Sequence, residues 1–266
     1  MLLSIRQGAS YKWWVFATVA TGTFMSVVGH GSILIALPTI ARHFDASLTA
    51  VLWITISETL AVSSLLLPMG RVSDVLGRKQ VYLTGYAIFI LASAAAGLSA
   101  SLTMLLVARV FQGVGSAMIQ ANGQAMVLSV FPGTERGKAL GTQFSVLGVA
   151  SMSGMLLGGL LVSTLGWRFI FLINLPVGAA ALVVISMALR LPVRQHRVPI
   201  DVTGALLLTI GVSLSLLALV WGGTEYAWGS TTIVGLATTG LIVTAAFVWW
   251  ETRAPETYWT WLAGAF

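Results

Sequence analysis

The chain has 266 residues, of which 57% are hydrophobic and only 8% charged, with a net charge of +6. A soluble chain carries roughly 25% charged residues, so a water-facing surface of this size is excluded. The absence of Cys excludes disulfides, thiolate metal sites and thiol nucleophiles, and three His residues are too few for a multi-histidine metal centre. The mean hydropathy of +0.93 agrees with a polytopic membrane protein.

In chain order, apolar runs long enough to cross a bilayer as helices fall at 13–37, 48–69, 80–99, 102–128, 139–164, 168–189, 203–222 and 231–250. The runs are continuous, not alternating, so the expected fold class is all-α and polytopic. The first run is too long for the apolar region of a signal peptide and reads as a retained span. Lys and Arg collect on one side of the predicted spans, eleven against two, with Arg109 inside a span. Basic loops stay in the cytoplasm, which predicts a cytoplasmic N-terminus. The same basic residues lie between apolar runs, so the high pI of 10.2 is not read as nucleic-acid binding. The polar stretch 191–202 is read as a cytoplasmic linker between a six-helix bundle, 1–190, and two further spans, 203–250; a short tail, 251–266, follows.

Several residues stand out against this background. Between the second and third spans, Gly70, Asp74, Gly77, Arg78 and Lys79 form a tight, cation-rich connection. Asp74 is placed to pair with an Arg and to cap the third span, although a plain basic loop would also satisfy the charge rule. Glu58 falls near the middle of the second span; a desolvated carboxyl there suits proton carriage, or is simply hydrogen-bonded. His30 stands between Gly29 and Gly31 and is either a relay or a packing residue. Arg109, with Gln112 one turn away on the same face, points to a wet cavity or bundle interior, or snorkels to the interface. Gly154 and Gly158 make a small-residue face on the fifth span, near Gly148 and Gly159. Trp53, Gln112 and Gln124 are candidates for lining a cavity. Trp13, Trp14, Trp167, Trp249 and Trp250 sit at span ends as interfacial anchors do.

Four segments in order resemble motifs of the major facilitator superfamily, in its 14-helix drug:proton antiporter branch. They are Gly70–Lys79; Arg109-Val110-Phe111-Gln112-Gly113; the glycines Gly148, Gly154, Gly158 and Gly159; and Gly166-Trp167-Arg168 through Asn174-Leu175-Pro176-Val177-Gly178. Ala36-Leu37-Pro38 after the first span fits the same branch. The resemblance implies a cytoplasmic latch at Gly70–Lys79, proton coupling at Arg109, and proton-driven export of lipophilic compounds across a bacterial cytoplasmic membrane. It implies no cofactor, no metal and no enzymatic activity; the expected partners are a small-molecule substrate, protons and the lipid bilayer, with no nucleic acid. Three positions depart from the pattern. Gly29 stands where the branch has an acidic residue, Met155 follows Gly154 where it has Pro, and Glu58 replaces an aromatic. Glu58 or His30 is therefore expected to take over the missing carboxylate. The chain holds the first half of such a transporter and two more spans, so it is expected either to be a fragment of a longer protein or to pair with a second chain or dimer that supplies the other half. The alternative is a non-transporting truncated product or an assembly subunit.

Overall fold

A computed structural model describes residues 11–188 and 201–253. The remaining linker and tail residues, 189–200 and 254–266, and Arg6 of the N-terminal segment lie outside the described residues. Nine α-helices are described, with one short 3-10 turn at Gly133–Glu135: α1 (Tyr11–Phe44), α2 (Leu48–Leu76), α3 (Arg78–Gly97), α4 (Leu102–Val130), α5 (Arg136–Thr164), α6 (Phe169–Leu172), α7 (Asn174–Ala188), α8 (Val202–Trp221) and α9 (Thr231–Arg253). No β-strand occurs among the described residues. By length and composition these helices provide eight membrane spans, α6 and α7 together forming the sixth.

Local chemistry explains the helix starts. Ser47 and Ser101 accept hydrogen bonds from the backbone N–H groups of Ala50 and Met104, and Asp201 from that of Gly204. The ends differ from expectation in instructive ways. The first span continues past Leu37 to Phe44 with Pro38 inside it, since helices in a membrane tolerate a proline when neighbours cover the freed backbone. The second span runs to Leu76, so residues 70–76 are its last turns and not a loop. Gly77 alone makes the turn, with φ at 95°, a conformation that favours glycine. Gly77 also occupies the cap position of α3 without a side-chain bond. Asp74 therefore does not cap the third span; it pairs with Arg78 at 3.4 Å instead. The sixth span is interrupted at Ile173, and Pro176 lies in the first turn of α7, where its missing N–H costs nothing.

Two apolar clusters form the core. One joins Val15, Val19 and Met25 of α1 to Tyr82, Tyr86, Phe89, Ile119 and Met126. The other joins Ile33, Leu37 and Ile40 of α1 to Ile54, Leu105, Trp167 and Phe171. Along α1, α3 and α4 alike, buried polar side chains separate them: Ser26 and Ser32, Ser93, then Arg109, Gln112 and Ser116. The bundle is thus an apolar–polar–apolar stack, and the polar layer sits within the membrane-spanning length.

α5 packs on α1 through its glycines. A Cβ added at Gly158 would lie 2.5 Å from the Ser32 Cα, and one at Gly154 2.9 Å from the Val28 carbonyl oxygen. Ser32 Oγ reaches both the Val28 and Gly154 carbonyls at 2.8 Å. At Gly148 and Gly159 no described residue lies within 4 Å of such a Cβ, so the close-packing face is confined to Gly154 and Gly158. Gly158→Leu should therefore lower the thermal unfolding temperature sharply, because backbone stands where the side chain would go, while Gly159→Ala leaves it nearly unchanged. Equal effects at both positions would refute this packing.

The two further spans form a hairpin, and α8 lies against α2. Ser64 Oγ and Ser213 Oγ are 2.7 Å apart, Thr209 Oγ1 donates to the Ser64 carbonyl at 3.3 Å, and the rings of Trp53 and Trp221 meet edge-on at 5.7 Å. The chain is naturally free of cysteine, so the pair Ser64→Cys and Ser213→Cys should cross-link under mild oxidation without background. A control pair, Ser64→Cys with Thr231→Cys, should not. No cross-link in the first pair would contradict the docked hairpin.

Candidate functional site

The polar layer centres on Arg109, seven residues into α4 and 1% exposed. Its Nε donates to the Ile54 carbonyl at 2.9 Å, its Nη1 to Gln112 Oε1 at 2.7 Å, and its Nη2 to Glu58 Oε2. The Phe171 ring lies 5.8 Å from the guanidinium carbon. Arg109 is therefore turned into the bundle and does not snorkel. An Arg facing lipid at mid-span costs about 2.5–3.5 kcal/mol on insertion scales; a carboxylate, a carbonyl and an amide oxygen in place of lipid offset that cost.

Glu58 is as buried as Arg109 and sits where α4 approaches α2 closely. A Cβ at Gly113 would lie 2.7 Å from the Glu58 carbonyl oxygen, so glycine there lets the two helices approach. Ser116 Oγ donates to Glu58 Oε1 at 3.5 Å, and Ser26 Oγ to Ser116 Oγ at 3.3 Å.

His30 completes the centre from α1. Its Nε2 lies 3.4 Å from Glu58 Oε2, and its side chain keeps 33% of its exposure against 2% for Glu58. Its Nδ1 lies 2.8 Å from the Ser26 carbonyl oxygen. A carbonyl only accepts, so Nδ1 carries a proton. Nε2 of the neutral ring is then an acceptor facing a carboxylate acceptor. That contact is satisfied only when a proton lies in it, on Glu58 or on His30. The arrangement can thus hold one proton between a buried acid and a partly exposed imidazole.

The other residues marked in the sequence fall elsewhere. Gln112 does not line a cavity: it is 1% exposed and bridges Arg109 to Ser93 on α3, Nε2 to Oγ, at 2.7 Å. Trp53 is half-buried and packs on Trp221. Gln124 is exposed on α4. A cleft of about 530 Å³ between α1 and α7, lined by Trp14, Thr18, Pro176 and Val184, includes none of these three residues. Arg78 and Lys79 tie the start of α3 to neighbouring helices, donating to the Ala125 carbonyl at 3.4 Å and the Ser186 carbonyl at 3.0 Å. No described residue lies within 4 Å of a Cβ built at Gly70. Among the described residues, no three His, Asp or Glu side chains converge as metal ligands would.

Sequence reasoning missed Ser93, Ser116 and Ser26 as members of the layer, and assigned Asn174 no role within it. Serine is common in this chain, and nothing local distinguishes these three; only the buried positions opposite Arg109 and Glu58 do.

The comparisons with known proteins agree with this architecture. The Major Facilitator Superfamily profile matches residues 19–266. The tetracenomycin C resistance and export protein of Streptomyces glaucescens is 35% identical over 92% of this chain and 45% of its own. The multidrug transporter protein MdtP of Bacillus subtilis is 34% identical over 88% of this chain and 43% of its own. The fold is similar to that of the human organic anion transporter MFSD10 (TETRAN), with a TM-score of 0.54 at 18% identity, covering 89% of this chain and 61% of that one. The chain spans less than half the length of the two bacterial relatives. A profile matched from Thr18's neighbour Val19 to the last residue, on a helical bundle with eight spans, places this multi-pass membrane protein in the Major Facilitator Superfamily.

Proposed function

We propose that the chain serves proton-coupled export of small lipophilic compounds, with Arg109, Glu58 and His30 as its coupling centre. The observation that carries this reading is the contact of His30 Nε2 with Glu58 Oε2, which needs a proton, beside the buried Arg109. Glu58 then stands in for the carboxylate that the first span lacks at Gly29. A proton entering by the partly exposed His30 would reach Glu58 and weaken its hold on Arg109. Arg109 bonds α2 and α4 at once, so its release changes how the two helices are held, which is what alternating access requires.

Alternating access also needs a second bundle to rock against, and the proposal includes one, from a longer polypeptide or a second chain. The turn at Gly77, with Asp74, Arg78 and Lys79, acts as the latch on the cytoplasmic side. The basic residues on that side support a cytoplasmic N-terminus in a bacterial cytoplasmic membrane. Bacterial relatives named for drug export support the direction and the substrate class. The test is the pH dependence of dye export after Glu58→Gln: coupling that persists unchanged sinks the reading.

A further inference from the structure

We infer that Ser93 and Asn174 are positioning residues: they set the direction of the Gln112 amide and, through it, hold the Arg109 guanidinium on Glu58. Their functional meaning rests on the coupling role proposed above for Arg109 and Glu58. Their geometry does not.

A guanidinium has donors only. Gln112 must therefore turn Oε1 toward Arg109 Nη1, 2.7 Å away, and its NH₂ group the other way. There Ser93 Oγ accepts from Gln112 Nε2 at 2.7 Å. Serine alone would not fix that direction, because a hydroxyl both donates and accepts. If it rotated to donate, the amide could flip, and its NH₂ would then face the guanidinium, donor against donor. Asn174 biases the choice. Its Nδ2 reaches the same Ser93 oxygen at 3.5 Å, so both lone pairs of Ser93 Oγ face N–H donors and its own proton is turned away from Gln112.

The burial of the chain Arg109–Gln112–Ser93–Asn174 leaves no water to substitute for a lost partner. Ser93 is 0% exposed, Gln112 1% and Asn174 6%. Asn174 reaches this position because the sixth span breaks at Ile173 and α7 begins at Asn174 itself. The same segment sets Phe171 beneath the guanidinium, and Trp167 meets Phe171 edge-on at 6.3 Å. The broken sixth span thus supports Arg109 twice, by a ring in contact and by an amide acting through Ser93 and Gln112.

The decisive measurement is nitrogen NMR of the full chain in lipid bilayers, carrying isotope-labelled arginine. The Arg109 signals are assigned by their loss in Arg109→Lys. In the native chain Nη1 and Nη2 have different partners, so two separate signals are expected. Ser93→Ala and Asn174→Leu should merge them into one averaged signal, while Ser93→Thr, which keeps the hydroxyl, should leave them separate. Thermal unfolding checks that each variant is folded; Ser93→Ala removes one oxygen and serves if Asn174→Leu does not fold. Separate signals retained in the folded variants, or merged signals in the native chain, would overturn the assignment. Merging in the variants with an unchanged pH profile of export would uphold the positioning role and overturn the coupling role of Arg109.

Discussion

Glu58→Gln should abolish the pH dependence of export while leaving the bundle folded. Glutamine is nearly isosteric and keeps an oxygen that can accept from Arg109, so the contact made by Nη2 survives as a hydrogen bond to a neutral acceptor. What is lost is the site for the proton: a Gln amide cannot take one from His30 Nε2, 3.4 Å from Glu58 Oε2 in the native chain. If Glu58 is the carrier, gradient-driven export should fall by a factor of about 100 or more, the scale of removing an acid–base group from a reaction that needs it. His30→Gln should have a smaller effect, because Glu58 remains and only the route to it is altered. The measurement is dye efflux from cells or vesicles at a series of external pH values, with the amount of folded protein matched. A flat profile at a low rate in Glu58→Gln is the expected result. A native profile would remove Glu58 from the mechanism and leave the carrier to residues outside this centre.

How much of this was legible in the sequence depends on the range of the interaction. The spans were legible because hydropathy is a local, summed property: all eight have a helical counterpart, offset by a few residues where helices extend into the interface. The extension of α2 to Leu76 was not legible, since Arg71 and Asp74 read as loop residues by their charge; a helix leaving the membrane can carry charge freely. The intramembrane Arg109 and Glu58 were visible as isolated charges in apolar runs. Their meeting was not, because it joins residues 51 apart on two helices and depends on glycine at position 113. Gln112 sharing a face with Arg109 follows from helical spacing, but its burial depends on α3 covering that face. Ser93 and Asn174 were invisible as members of the layer because the signal is a coincidence of three helices at one depth.

Arg109→Met should destabilise the bundle more than any other single change in the polar layer, and adding Glu58→Gln should recover part of the loss. Arg109 gives hydrogen bonds to Ile54 O, Gln112 Oε1 and Glu58 Oε2, three acceptors on two helices. Removing one partner of a buried ion pair costs about 3–5 kcal/mol, mostly because the other charge is left uncompensated. A methionine fills much of the volume, so the cost measures the orphaned acceptors and not a cavity. In the double variant the carboxylate is gone and only neutral acceptors remain, which cost less to leave unpaired. Arg109→Lys should fall between the native chain and Arg109→Met. Its ammonium is a point charge on a flexible stem and cannot span the positions that the planar guanidinium bridges. Thermal or denaturant unfolding in one detergent gives the order: native, then Lys, then the double variant close to it, then Met alone. If the double variant were less stable than Arg109→Met, the orphaned carboxylate would not be the source of the loss, and Glu58 would owe its place to packing and not to the pair.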